Sequence, residues 1–399
     1  MKERYLIWEN PRHAIYTLMF ILMGIGSINV FSASYISAMD MTGNGFYYLW
    51  RYLIFSVLGL IGIRIVEGIG YKKLLSLKSV WVLYIVVLLM LVAVDVIGIT
   101  NKGAQRWLNL GFITFQPSEL AKLSIIMLVS RILGHLLHKG RKVSLLSGDG
   151  LQGVMATLFF ALLVYKQPDL GTAAIIVGLM MGVYIVAGIS MAQVWGILAV
   201  GGVGAVVATM FSPYRMQRVK VWFDPWLDES GTGYQMAQSL MAIGSGGVTG
   251  ANWGHGAGKF FYLPEAHTDF AFAIFCQENG FLGALLLLVL FILLAGAFFR
   301  ITIRAKDRRG FLLSAGITML IIGQAAANMA MVCGLLPVIG VPLIFISYGG
   351  TSLVISMAAI GLILSVYKEE VKREEQEAVP PEVRREDLRV VSSVRGWRK

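Results

Sequence analysis

From about His13 onward the chain alternates between long apolar runs and short polar connections. Roughly 20 apolar residues are what the hydrocarbon core of a bilayer demands of a helix. Ten such runs can be placed, at about His13–Phe31, Trp50–Val66, Ser79–Gly98, Pro117–Arg131, Gly150–Val164, Leu170–Gly188, Val194–Phe211, Asp269–Phe299, Phe311–Cys333 and Thr351–Tyr367. The first follows Lys2, Arg4 and Arg12 and is too long for the apolar core of a signal peptide, so it counts as a span. Pro117 suits the first turn of the fourth, where its missing N–H costs nothing. The pattern predicts an all-α integral membrane protein.

Three stretches break the rhythm. Residues 212–268 form a long polar loop between spans seven and eight, too long for a simple connection and the natural place for chemistry. Residues 335–350, LLPVIGVPLIFISYGG, are too apolar for water and too rich in Pro and Gly for a straight helix. They are expected to form a re-entrant segment, irregular backbone tucked against protein at membrane depth. From Lys368 to Lys399 the chain mixes acids and bases around Pro380-Pro381 and is expected to be a disordered tail, leaving 1–367 as the membrane domain. No internal repeat is visible.

Composition supports this picture: 57% of residues are hydrophobic, only 14% are charged, and the mean hydropathy is +0.71, far from an ordinary soluble domain. The net charge of +11 could suggest nucleic acid, but its distribution argues otherwise. The N-terminus, the Lys72 loop, the Lys139 loop, the Arg300 loop and the tail carry the lysines and arginines, and with ten spans all five fall on one side. That side is assigned to the cytoplasm with both termini, which places the long loop outside. Cys276 and Cys333 lie in apolar surroundings and are expected to be core thiols. The five histidines form no ligand set, since His135 and His138 share a helix face but sit beside Lys139, Arg141 and Lys142.

A few charged residues fall where charge is expensive. Glu119 and Lys122 lie about one turn inside the fourth span, spaced to pair on one helix face. Their pairing either stabilises the bundle or holds the wall of a groove. Asp169 opens the sixth span and Asp269 the eighth, where simple helix capping would account for an acid. Asp269 has company, however, because Arg215, Arg218 and Lys220 share its loop. A carboxylate with cations at a membrane surface suits a substrate with a hydroxyl to activate and a phosphate to hold. Trp107, Trp222, Trp226 and Trp253 are read as interface anchors before sugar platforms.

The run Asn328-x5-Gly334-Leu335-x-Pro337-x-x-Gly340-Val341, ending Phe345-Ile346-Ser347-Tyr348-Gly349-Gly350-Thr351-Ser352, resembles the signature of the SEDS family, which comprises FtsW, RodA and SpoVE. Gly103-Ala104-Gln105-Arg106-Trp107, Gln116-Pro117-Ser118-Glu119-x-x-Lys122, Gln167-Pro168-Asp169-Leu170-Gly171-Thr172 and Leu263-Pro264-Glu265-Ala266-His267-Thr268-Asp269-Phe270 continue the likeness in order, from about Arg12 to Tyr367. The Tyr262–His267 wording and the Tyr214–Arg218 block are closer to the FtsW and SpoVE branches than to RodA. Cys276-Gln277-Glu278-Asn279 and Ala251-Asn252-Trp253 depart from the family's usual residues.

The resemblance implies ten transmembrane helices and a peptidoglycan glycosyltransferase acting on lipid II outside the membrane, with a septal role in division for an FtsW-like member. It also implies a class B penicillin-binding transpeptidase and other divisome proteins as partners. In that scheme Asp269 is the general base, while Arg215, Arg218 and Arg106 face the pyrophosphate together with Glu119 and Lys122, which shape the groove. Asp169, Asn328, Pro337, Ser347, Gly349 and Gly350 are structural. No nucleotide cofactor is needed, and a divalent cation (Mg or Mn) at the leaving group stays open with no ligand assigned. The competing readings are a lipid II flippase, a RodA-like or SpoVE-like polymerase, and a non-catalytic scaffold. A flippase needs charges along a path through the bilayer, whereas these lie mainly toward the outer face.

Overall fold

The structure, a computed structural model, describes residues 10–378 apart from 102–103, 110, 112–113, 147, 212, 229, 255, 257 and 259–262. Among the described residues eight helices are long and apolar enough to cross a membrane: Pro11–Thr42, Tyr47–Ile69, Leu77–Ile97, Pro117–His138, Gly148–Lys166, Ala271–Arg304, Arg308–Val332 and Gly350–Glu377. Two further apolar helices, Leu170–Val186 and Met191–Met210, stand sixth and seventh in the series. The protein is thus a multi-pass, almost wholly helical membrane protein, and these helices coincide with the ten expected spans.

Helix boundaries run beyond the apolar runs, because polar residues at either end still close backbone hydrogen bonds. The first span is capped by Asn10, whose side chain accepts from the Arg12 N–H, and ends at Gly43 in a left-handed conformation. The tenth continues as helix to Ala378, eleven residues past Tyr367, so the charged tail does not begin as irregular chain. Its extension is laced to the same face of the bundle by Lys72–Glu369 (2.8 Å) and Lys306–Glu377 (2.9 Å). Residues 379–399 lie outside the described residues.

The fourth and tenth spans are mostly buried, whereas the second, third and eighth leave wide apolar faces exposed, as lipid-facing helices should. Lys122, Ser124 and Ser130 are buried along the fourth span beside Ile125, Ile126 and Val129. Cys276 is buried as expected, but Cys333 is exposed at the end of the ninth span.

Between the third and fourth spans the all-helical expectation fails locally. A small antiparallel sheet forms there in the order β1 (Ile99–Asn101), β2 (Ala104–Asn109) and β3 (Thr114–Phe115). It carries Arg106 and Trp107.

The long loop is not simply a polar excursion. It holds one helix at Pro213–Phe223 and a second at Tyr234–Gly246 that packs against the eighth span. The second is fastened to the ninth span by Ser239 Oγ, which donates to the Val332 oxygen at 2.8 Å. The eighth span breaks at Gly280 (φ 64°), a conformation open to glycine. The N–H groups of Phe281 and Leu282, released from the helix by the break, donate instead to the loop oxygens of Gly247 (2.9 Å) and Val248 (3.1 Å).

Candidate functional site

Residues 333–349, between the ninth and tenth spans, are irregular backbone with Val341 and Leu343–Ser347 buried. Buried irregular backbone must find hydrogen-bond partners outside itself. Here the partners come from the first, second and ninth spans. Tyr52 Oη donates to the Phe345 oxygen at 2.5 Å, and Asn29 Nδ2 lies 3.4 Å from the Ile346 oxygen and 3.1 Å from that of Ala271. Ser347 Oγ accepts from the Leu343 N–H at 3.0 Å, closing the loop on itself. Gly26 lies so close to the Phe345 carbonyl that a methyl group there would overlap its oxygen. This loop, rather than the 212–268 stretch, is the hub of the polar motifs.

Asp269 sits in the tight turn 264–270, half-buried, immediately before the eighth span. The helix N-cap is Phe270, which makes no side-chain cap bond, so Asp269 stands one residue before the cap. The turn is built on Glu265 (φ 57°), whose oxygen accepts from the Thr268 and Phe270 N–H groups. Thr268 Oγ1 closes onto the Glu265 carboxylate at 2.7 Å. Asn328 Nδ2 donates to the main-chain oxygens of both Asp269 (2.7 Å) and Val341 (2.6 Å), joining the turn to the irregular loop. A second join runs from the Tyr348 N–H to the His267 oxygen at 2.8 Å, with the Tyr48 ring tilted against that of His267, centroids 4.4 Å apart. Gly340 (φ 68°) lies alongside the Asp269 carboxylate, and a side chain there would bring its Cβ within 3.5 Å of Oδ2.

Glu119 and Lys122 form an ion pair at 2.8 Å, and both side chains are almost fully buried. Lys122 Nζ also donates to Gln324 Oε1 at 2.7 Å. Arg106, reaching from β2, donates to the oxygens of Gln167 (3.3 Å) and Pro168 and stands 3.8 Å from Asp169. Asp169 caps the sixth span by accepting from the Thr172 N–H (3.2 Å) and hydroxyl (2.9 Å). Gly171, just inside that span, presses on the Ile339 carbonyl. The ion pair, the Arg106–Asp169 pair and the Asp269 turn therefore all bear on one loop.

The other expected residues divide. Gly349 packs on Pro342, and Gly350 lies under the Phe55 ring of the second span, where a methyl group would come within 2.6 Å. Pro337 is exposed at the start of the loop. Arg218 stands exposed on the helix Pro213–Phe223, which also carries Arg215, whose side chain lies outside the described residues. Farther along the same loop Asp228 accepts from the Thr232 N–H and hydroxyl, both at 2.8 Å, and these bonds hold its carboxyl below the usual range.

Sequence reasoning passed over several participants. Asn29, Ser32, Tyr52 and Gln324 are buried polar groups within apolar runs, and that isolation was the available signal. Glu278 is 1% exposed and accepts from Ser32 Oγ at 2.6 Å and from the Gly254 N–H at 3.1 Å, so it knots the first span and the long loop onto the kink.

The fold and site define a polytopic membrane protein whose polar motifs converge on one irregular, buried loop beside a half-exposed carboxylate. The chain belongs to the FtsW/RodA/SpoVE family, whose model, described as "Cell cycle protein", matches residues 12–372. It is 34% identical over 358 residues to stage V sporulation protein E of Bacillus subtilis, covering 90% of this chain and 97% of the relative. It is 36% identical to a probable peptidoglycan glycosyltransferase FtsW of Geobacter sp. strain M18, with 88% and 95% covered. With the peptidoglycan glycosyltransferase MrdB of Escherichia coli K12 it shares 39% over 297 residues, with 71% and 76% covered. Among solved structures it is similar to a chain from a study of polymerization and crosslinking by a peptidoglycan synthase complex (TM-score 0.75, 27% identity, 89% and 97% covered). It is also similar to rod shape determining protein RodA of Thermus thermophilus (TM-score 0.65, 26% identity, 89% and 96% covered).

Proposed function

We propose that the protein is a peptidoglycan glycosyltransferase that polymerises lipid II into glycan strands at the outer face of the cytoplasmic membrane. The observation that carries this reading is the Asp269 turn, a half-buried carboxylate held by Asn328 to the loop that also receives the family's other outer motifs. The relatives named peptidoglycan glycosyltransferase give the substrate class.

The acceptor presents a sugar 4-hydroxyl, and the donor is a sugar joined through pyrophosphate to a polyprenyl carrier. Asp269 takes the hydroxyl proton as the oxygen attacks the donor's anomeric carbon. The new carbon–oxygen bond forms as the bond to the pyrophosphate breaks, in one displacement that inverts the carbon. The leaving pyrophosphate gathers negative charge, which Arg215 and Arg218 on the helix Pro213–Phe223 are suited to stabilise. Glu119 and Lys122 hold the groove wall. Among the described residues no group of three His, Cys, Asp or Glu is arranged to hold a metal ion.

The basic clusters set the orientation, with both termini cytoplasmic and the 212–268 segment outside. A single-span class B penicillin-binding transpeptidase is the natural partner, since strands made here must be crosslinked, and a division septum is the site of action. The test is reconstitution: the protein copurified with its transpeptidase should convert labelled lipid II into polymer, and a complex that makes none would overturn the reading.

A further inference from the structure

The ninth span is regular α-helix from Arg308 to Thr318, widens into a π turn over Met319–Gly323, and returns to α geometry at Gln324. A π turn takes in an extra residue and so rotates the helix on its C-terminal side relative to the helix on its N-terminal side. Before it, Gly316 packs on Ile126 and Val183. After it, two amides one helical turn apart, Gln324 and Asn328, both reach the irregular loop. Asn328 holds the Val341 oxygen at 2.6 Å, and Gln324 Nε2 donates to the next oxygen along, that of Pro342, at 3.3 Å.

Gln324 differs from Asn328 in what lies on its other side. Its Oε1 accepts from Lys122 Nζ at 2.7 Å, and the same Nζ donates to Glu119 at 2.8 Å. The amide can be oriented only one way, because an ammonium has donors alone and must face the oxygen, which turns the NH₂ toward the loop. Gln324 is 3% exposed, so water does not replace either bond. A continuous path of side chain and main chain therefore runs from the ion pair through Gln324 to Pro342, along one peptide to Val341, and through Asn328 to Asp269.

Resting on the functional reading above, we infer that Gln324 is a positioning residue of the polymerisation site. It couples the Glu119–Lys122 pair to the loop peptide that, through Asn328, fixes where the Asp269 carboxylate stands. The π turn is the device that aims it. Gln324 touches no reacting atom on this account, and its effect falls on the geometry of proton transfer.

The experiment uses the full-length protein in complex with its transpeptidase, polymerising lipid II, with Gln324→Glu. A carboxylate keeps the length and still accepts from Lys122, but offers no N–H to the Pro342 oxygen. The expected result is a kcat about ten- to a hundredfold lower, with KM for lipid II within about twofold of the parent and with thermal melting and partner copurification preserved. Gln324→Met, which lacks an amide altogether, should lower kcat at least as far, and decides the matter if the Glu variant does not fold. Parental kcat in either folded variant, a loss confined to KM, or loss of folding in both would overturn the inference. Asp269→Asn in the same assay separates the levels. A parental complex that makes no polymer sinks the functional reading itself, an active Asp269→Asn enzyme sinks the base assignment and the coupling with it, and an inactive one beside a fully active Gln324 variant sinks only the coupling.

Discussion

Asn328 donates through one side-chain nitrogen to the main-chain oxygens of Asp269 and Val341, at 2.7 and 2.6 Å, although the two acceptors are 72 positions apart in the chain. One buried amide thus decides how the turn before the eighth span meets the loop before the tenth. Asn328→Asp keeps the shape but offers no donor, and sets a carboxylate against two oxygens. It should lower stability by about 1–3 kcal/mol, the usual consequence of stripping a buried polar group of its partner. Polymerisation should fall much further than the melting temperature suggests. Measuring both on one preparation checks this, and a stable, fully active Asn328→Asp protein would contradict it.

The Glu119–Lys122 pair predicts a non-additive pattern. Breaking a buried pair from one side leaves the other charge in a low-dielectric interior and typically destabilises by about 3–5 kcal/mol. Removing both charges removes the problem with the pair. Glu119→Gln and Lys122→Met should therefore each damage folding and activity as much as the two together, and a double-mutant cycle should return a coupling well above zero. Strictly additive losses would mean that the 2.8 Å contact contributes nothing.

Two nearby glycines in the first span make a steric control. A Cβ on Gly26 would overlap the Phe345 oxygen, whereas one on Gly24 meets nothing within 4 Å. Gly26→Ala should cost about 1–3 kcal/mol by forcing the hub loop outward, and should reduce activity. Gly24→Ala should behave as the parent. Equal tolerance of both would show that the first span does not brace the loop.

The proposed topology follows from the basic clusters. Reporters fused after Lys73, Lys142, Lys306 and Lys372 should all read cytoplasmic, and one near Gly247 should read outside. Finding Gly247 and Lys306 on one side would invert the proposed geometry, since the polymerisation site would then be divided between compartments.

The spans were legible because hydropathy over 20 residues is a local signal, and the irregular nature of 335–349 was legible because Pro337, Gly340 and Pro342 punctuate an apolar run. The ion pair was legible because its members are three residues apart on one helix. Long-range contacts leave no such trace. Ser32 and Glu278 are separated by 246 positions, and Lys122 and Gln324 by 202, so neither bond has a spacing to read. The π turn at Met319–Gly323 and the strands around Arg106 were hidden for a different reason. Each is set by what packs on it, and tertiary context overrides propensity in such short elements. The long polar loop drew attention because it interrupts the pattern, yet the interruption of 17 residues from 333 to 349 is where the bonds converge.

The measurement that tests the account most directly is lipid II polymerisation by Asp269→Asn in complex with its transpeptidase partner. Asparagine keeps the shape of the side chain and caps a helix about as well as aspartate, but cannot take a proton from the acceptor hydroxyl. The account predicts a folded, partner-bound protein that makes no glycan, with Asp269→Ala giving the same result. A flippase or a scaffold would lose little from an amide at the outer surface. Near-normal glycan chains from Asp269→Asn would contradict the assignment of Asp269 as the base and the mechanism built on it.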